Sequence, residues 1–285
     1  MTTQLERPAL TYHRARVTVV RPVTPHLVRV TFAAESFRDV PAGAPDQYVK
    51  VFFPLPGQEA PVLPETASDV MSWYRTYLAM PDGVRPPMRT YTVRAHRPDA
   101  AEIDVDFVLH GDTGPASAWA SRATPGDRVT FTGPYGLYAP PEGCGWQLLV
   151  GDETALPAIG AIIEQLPPGA RASVYVELAD RADRQVFETR GAVEVHWVLR
   201  GSRPLGEALL EALRGAAFPG GTPYAWVSGE AGVVKSVRRH LVREREVDKR
   251  LICFTGYWRL GMSEEAAGRE AVRAAEAGEA LVEAD

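Results

Sequence analysis

The sequence predicts two domains in series: an N-terminal antiparallel β-barrel and a C-terminal α/β domain with a parallel sheet. Three observations predict it. The first half consists of short β-branched and aromatic runs separated by Pro and Gly. The second half alternates apolar strands with helical patterns, as a parallel sheet covered on both faces requires. A Pro- and Gly-rich stretch, 134–145, lies between them. The expected domains are 10–142 and 143–285.

In the first half, 14–20 alternates, which puts Ala15, Val17 and Val19 on one side of a strand. Further strands are expected at 27–32, 48–53, 89–93, 103–109 and 128–132. Between Pro54 and Pro87 the alternation lapses and seven prolines occur. A connection of that length is expected to be a functional lid or a mobile insertion, with one short helix at 67–77. In the second half, strands are expected at 147–150, 172–178, 193–198, 224–230 and 251–255. Helices are expected at 156–166, 205–213 and 233–245, with a terminal Ala- and Glu-rich helix from 263.

Composition excludes several classes. The 285 residues suffice for two cores. A net charge of -5 argues against broad nucleic-acid binding, which favours a basic face. No apolar run of about 18 residues suggests a membrane span, and 1–9 lacks a signal-peptide core. Cys144 and Cys253 form no CxxC pair and no metal-ligand spacing. They read as buried thiols of a cytosolic protein, without a protein-bound metal.

The chemistry-bearing motifs occur in the same order. On a strand, Arg89 and Tyr91 face one side and Thr90 and Thr92 the other. A guanidinium suits a diphosphate oxygen, and Tyr91 suits a ring or a ribose. The Thr92 hydroxyl suits a ring nitrogen. An ordinary strand with Arg and Thr in water is the alternative. HGDTGPASAWA at 110–120 ends a strand and opens a helix. There Gly114 permits a tight turn, Pro115 suits the first helical position, and the free N–H groups near Ala116 and Ser117 suit an anion. The Ser117 hydroxyl adds a possible donor. GDETALPAI at 151–159 comes after the first parallel strand, where open α/β sheets bind ligands. Thr154 is its expected N-cap, and Pro157 falls in the first turn. This is not GxGxxG, so a Rossmann fingerprint is absent.

A barrel succeeded by an α/β domain is the ferredoxin-reductase-like layout. The segments RTYTVR at 89–94, HGDTGPASAWA, GDETALPAI, WVSGEAGVVKSVRRHL at 226–241 and GYWRLG at 256–261 together resemble the siderophore-interacting protein family, the FAD-containing ferric-siderophore reductases. The resemblance covers 12–262. It implies that Arg89, Tyr91, Thr92, His110, Gly114, Ala116 and Ser117 hold FAD, with Thr154, Ala155 and Pro157 near the flavin. The flavin itself carries the chemistry, so no catalytic side chain is expected. Lys50, Arg259 and Arg122 are similar to basic positions beside the flavin and are expected to meet an anionic ferric siderophore. The implied electron donor is NAD(P)H or reduced ferredoxin. Arg181, Arg184, Glu230 and Lys235 are candidates for docking a nucleotide. The implied protein is a cytoplasmic monomer. A general flavin reductase or diaphorase, and a siderophore-binding carrier without turnover, stand as alternatives.

Overall fold

The computed structural model describes residues 10–67, 69–111 and 114–276. Seven strands form the first sheet: β1 (His13–Thr24), β2 (Leu27–Ala33), β3 (Tyr48–Phe52), β4 (Met88–Thr92), β5 (Ala95–Arg97), β6 (Glu102–Val108) and β7 (Arg128–Tyr135). Their order is β4-β3-β7-β1-β2-β6-β5, with antiparallel neighbours throughout. The sheet curls around Val17, Val30, Phe32, Val51, Phe53, Val105, Phe107 and Phe131. Tyr91 of β4 meets Phe107 of β6 across the interior, with ring centroids 4.4 Å apart.

Two expectations change at this level. Val19 does not point inward: it is 46% exposed. The β1–β2 register shifts between Val17 and Val19, and Val20 packs against the core instead. The extra residue of such a bulge reverses the facing of the residues after it. The Pro-rich connection is packed structure. It carries helix α1 (Val70–Ala79), capped by Asp69, whose carboxylate accepts from Met71 N and Ser72 N. Trp73, Tyr77 and Leu78 cover Phe52 and Met88 on the outer face of the barrel. The buried Arg85 donates to the carbonyls of Leu78 and Met80 at the end of α1.

The second sheet is wholly parallel. It contains β8 (Trp146–Gly151), β9 (Arg171–Leu178), β10 (Ala192–Leu199), β11 (Pro223–Glu230) and β12 (Ile252–Trp258), in the order β10-β9-β8-β11-β12. Alternate residues fill two cores. Leu149, Val174, Val176 and Trp226 pack with α3 (Leu156–Gln165). Leu148, Val150, Ala225 and Val227 pack with α4 (Glu207–Gly215) and α5 (Ala231–Arg243). A short helix, α2 (Pro115–Ala120), comes after β6, and α6 (Glu264–Glu276) after β12. Neither cysteine is fully buried: both are half-buried free thiols. Burial nevertheless pushes the Cys253 thiol up to about 11. Among the described residues no helix is long and apolar enough to cross a membrane, and no cluster suits a metal ion.

Candidate functional site

The sheet order places a ligand crevice before any side chain is considered. From β8 the chain crosses to β9 on one side, while β11 lies on the other, so the C-terminal ends of β8 and β11 flank the point where strand order reverses. Backbones approach closely there. A Cβ on Gly151 would stand 2.8 Å from the Ser228 carbonyl oxygen, and one on Gly229, at φ +142, would stand 2.7 Å from Asp152 Oδ2.

Asp152 organises this crevice. Its Oδ1 accepts from Thr154 N (2.9 Å) and Thr154 Oγ1 (2.5 Å). Its Oδ2 accepts from Glu230 N (2.8 Å) and Trp258 Nε1 (2.9 Å). One carboxylate, 3% exposed, thereby ties together the turn after β8 and the ends of β11 and β12. Asp152 rather than Thr154 caps the turn, and α3 begins four residues after Asp152, at Leu156, with Pro157 in its first turn. Ala155 is fully buried under this turn. Glu230 is likewise a structural cap: its Oε2 accepts from Val233 N and its Oε1 from Leu260 N. Lys235, Arg181 and Arg184 are exposed.

The barrel meets the crevice through β4. Tyr257 stands beside the side chains of Ser228 on β11 and Thr92 on β4, and burial, which outweighs their favourable influence on its ionised form, pushes its hydroxyl well above the usual tyrosine range. Burial does the same to Tyr91. Residues 89 and 91 face one side of β4 and residues 90 and 92 the other, as the register with Val51, Val49, Lys50 and Tyr48 requires.

Beside β4, helix α6 supplies carboxylates. Arg89 Nη1 donates to Glu265 Oε1 (2.5 Å) and to the Met88 carbonyl. Burial would raise the Glu265 carboxyl, but the Arg89 charge, together with hydrogen bonds from Arg89 and the backbone, outweighs it and holds the group below its ordinary range. Lys50 Nζ donates to Glu264 Oε1 and to Thr90 Oγ1, both at 3.1 Å. Glu264 also accepts from the Thr90 hydroxyl and from the Thr90 N–H on the free edge of β4. Arg259 stands 3.6 Å from Glu270. Three of the basic residues singled out in the sequence therefore share one acidic helix. Arg122 does not join them: it is exposed beyond the C-terminal end of α2.

The turn before α2 is built differently from the expectation. Asp112 and Thr113 lie outside the described residues. Gly114 has ordinary extended geometry, and the glycine with positive φ is Gly111, at +78. The Ser117 hydroxyl, 2% exposed, accepts from His110 N and donates to the Gly111 carbonyl, so it shapes the turn itself. Among the described residues no side chain caps α2, so the first-turn N–H groups at Ala116 and Ser117 have no side-chain acceptor there. Such donors suit a phosphate oxygen, as does a guanidinium like that of Arg89, which already holds a carboxylate.

Sequence reasoning misses Asp152, Glu264 and Glu265. Asp152 lies inside the GDETALPAI motif, and an acid directly after an apolar strand is its only local signal. The α6 glutamates give none, since an Ala- and Glu-rich segment reads as a solvated helix.

Comparison with known proteins adds to this geometry. Residues 16–138 match the model of the siderophore-interacting FAD-binding domain, and residues 144–261 match that of the siderophore-interacting protein. The ferric vibriobactin reductase of Vibrio cholerae is 31% identical over 246 residues, 86% of this chain and 88% of that protein. The NADPH-dependent ferric-chelate reductase of Escherichia coli is 28% identical over 258 residues, 90% of this chain and 96% of that protein. The crystal structure of a siderophore utilization protein from T. fusca superposes with a TM-score of 0.76 at 34% identity, over 90% of this chain and 95% of that one.

Proposed function

Because the chain belongs to the siderophore-interacting protein family, we propose that it is an FAD-dependent oxidoreductase that reduces ferric iron held by a siderophore, drawing electrons from NAD(P)H. The observation that carries this reading is the junction of Thr92 with Tyr257 and Ser228, which opens the Arg89–Tyr91 strand onto the crevice of the parallel sheet. A cofactor gripped by the barrel and a nucleotide docked on the sheet would meet there.

FAD, when bound, supplies a carrier that accepts two electrons and releases them singly. The side chains do the rest. Arg89 and the N–H groups of Ala116 and Ser117 would hold the diphosphate, with His110, Gly111 and the Ser117 hydroxyl shaping the turn. Glu265 would yield its place on Arg89 to that diphosphate. Tyr91 offers a ring face, and Thr92 a hydroxyl beside Tyr257. Asp152 holds the Thr154–Pro157 turn and Trp258 in place, where they would line the flavin. Lys50 and Arg259 stand at the rim where the ferric complex would approach. Siderophore oxygens are hard donors that hold Fe(III) better than Fe(II), so one electron loosens the chelate without a protein ligand for the metal.

We place the protein in the cytosol as a monomer. Reduced ferredoxin is the competing donor. The test is turnover with purified, FAD-loaded protein under anaerobic conditions, with ferric siderophore as oxidant and a coloured ferrous chelator as trap. Fe(II) release that needs NADH or NADPH supports the reading. Release only with reduced ferredoxin replaces the donor. Transfer to quinones or dyes without iron release replaces the function by a general flavin reductase, and binding of siderophore without turnover replaces it by a carrier.

A further inference from the structure

The carboxylates of α6 bear on which ferric complexes the rim accepts. Glu264 is held by three bonds, to Lys50 Nζ, Thr90 Oγ1 and Thr90 N, and its side chain is 23% exposed. The helix that carries it is anchored independently. Gly268 lies directly against the Tyr74 hydroxyl, where even a Cβ would overlap at 2.0 Å. Arg269 reaches Asp82 at 3.2 Å, and Val272 packs on the cluster of Trp73, Tyr77 and Met88. The acidic residue at the start of the helix also suits its dipole. Glu264 is thus a fixed negative charge set against Lys50. Glu270 opposes Arg259 more weakly, since both members of that pair are 56% exposed.

From this we infer that Glu264, aided by Glu270, sets the substrate class of the rim: the neutralised cations favour uncharged tris-hydroxamate ferric complexes over trianionic tris-catecholate ones. The inference rests on the reductase reading and deepens it. Three catecholates bring six negative charges and Fe(III) offsets three, leaving a trianion. Three hydroxamates bring three, leaving a neutral complex. A rim of free Lys and Arg would attract the trianion. A rim whose cations are paired offers it little, and Glu264 repels it. Removing one such charge at several ångströms changes the affinity of a trianion roughly tenfold and that of a neutral complex hardly at all.

The test uses gallium(III) complexes, which share the ferric charge and shape but cannot be reduced. FAD-loaded wild-type protein and the Glu264→Gln and Glu264→Gln/Glu270→Gln variants are titrated by calorimetry with a tris-hydroxamate and a tris-catecholate gallium complex. Glutamine keeps an acceptor for Thr90, so the helix anchor survives. The expected result is tighter hydroxamate binding by the wild type, a roughly tenfold gain in catecholate affinity in the variants, and hydroxamate affinity nearly unchanged. Catecholate preference in the wild type, or an unchanged affinity ratio in both variants, overturns the inference. Those outcomes with iron still reduced leave the reductase reading standing. Absence of binding by both complexes, with neither ferric form accepting electrons, removes the reading and the inference together.

Discussion

Asp152 shows how much a single side chain carries at this site. It receives four hydrogen bonds from three segments. Asp152→Ala should cost on the order of 3 kcal/mol, read as a lower urea midpoint at unchanged slope. A midpoint within experimental error of wild type would refute the hub role. Arg89→Ala should lower FAD content after purification, measured by the flavin-to-protein absorbance ratio, and full occupancy would refute the diphosphate role. Lys50→Ala should leave flavin bound but slow turnover of anionic ferric complexes, since Glu264 then stands uncompensated; unchanged kinetics would exclude Lys50 from the rim. Legibility differs sharply among these residues. Arg89 and Tyr91 stand out because strand alternation and residue type are local properties. Asp152 does not, because its partners Glu230 and Trp258 come from distant strands. The Ser117 hydroxyl is legible as a polar group in a turn, but its engagement by His110 and Gly111 is not.

At the scale of elements, the sequence reveals periods better than it reveals interruptions. Both sheets and their order of appearance can be read from alternation and from apolar runs. The β1 bulge cannot, because a one-residue shift leaves no compositional mark. Val19→Thr should therefore be nearly neutral, within about 0.5 kcal/mol. Val17→Ala, at a fully buried position, should cost roughly 2 kcal/mol. Equal costs in chemical denaturation would contradict the bulge. Helix α6 illustrates the other limit. Its pattern signals a helix, but its docking depends on Tyr74, Asp82 and β4, far away in the chain. Gly268→Ala should force it away from Tyr74, raising amide exchange across 264–274 while the sheets stay protected. Unaltered exchange there would mean that the helix is not seated on Tyr74.

At the scale of the whole molecule, the two sheets are joined by polar groups that span the domain boundary. Arg94 grips Glu164 of α3 through both nitrogens of its fork, at 2.7 and 2.5 Å. Asp46 accepts from Leu137 N, Tyr138 N and Trp226 Nε1. Asp183, after β9, accepts from Thr24 Oγ1 and His26 N, and its second oxygen meets His26 Nδ1. Burial would raise the Asp183 carboxyl, but the Thr24 and His26 hydrogen bonds prevail and hold it below the ordinary value of 3.8. A depressed carboxylate contributes stability above its unfolded value, and the contribution is lost as pH falls through the folded value. This joint should therefore be intact at neutral pH and should weaken below about pH 4. Asp183→Asn should flatten that acid dependence in thermal unfolding, and an unchanged profile would show that the joint does not titrate. The joints matter because electron transfer requires the barrel strand and the sheet crevice to stay in register. The most direct measurement is single-turnover stopped flow on anaerobic, photoreduced holoprotein mixed with a ferric siderophore. Rapid reoxidation of the flavin, matched by ferrous iron in a chelator trap and absent with the gallium complex, is the expected result. A flavin that stays reduced with every ferric siderophore, yet is reoxidised by a quinone, would contradict it.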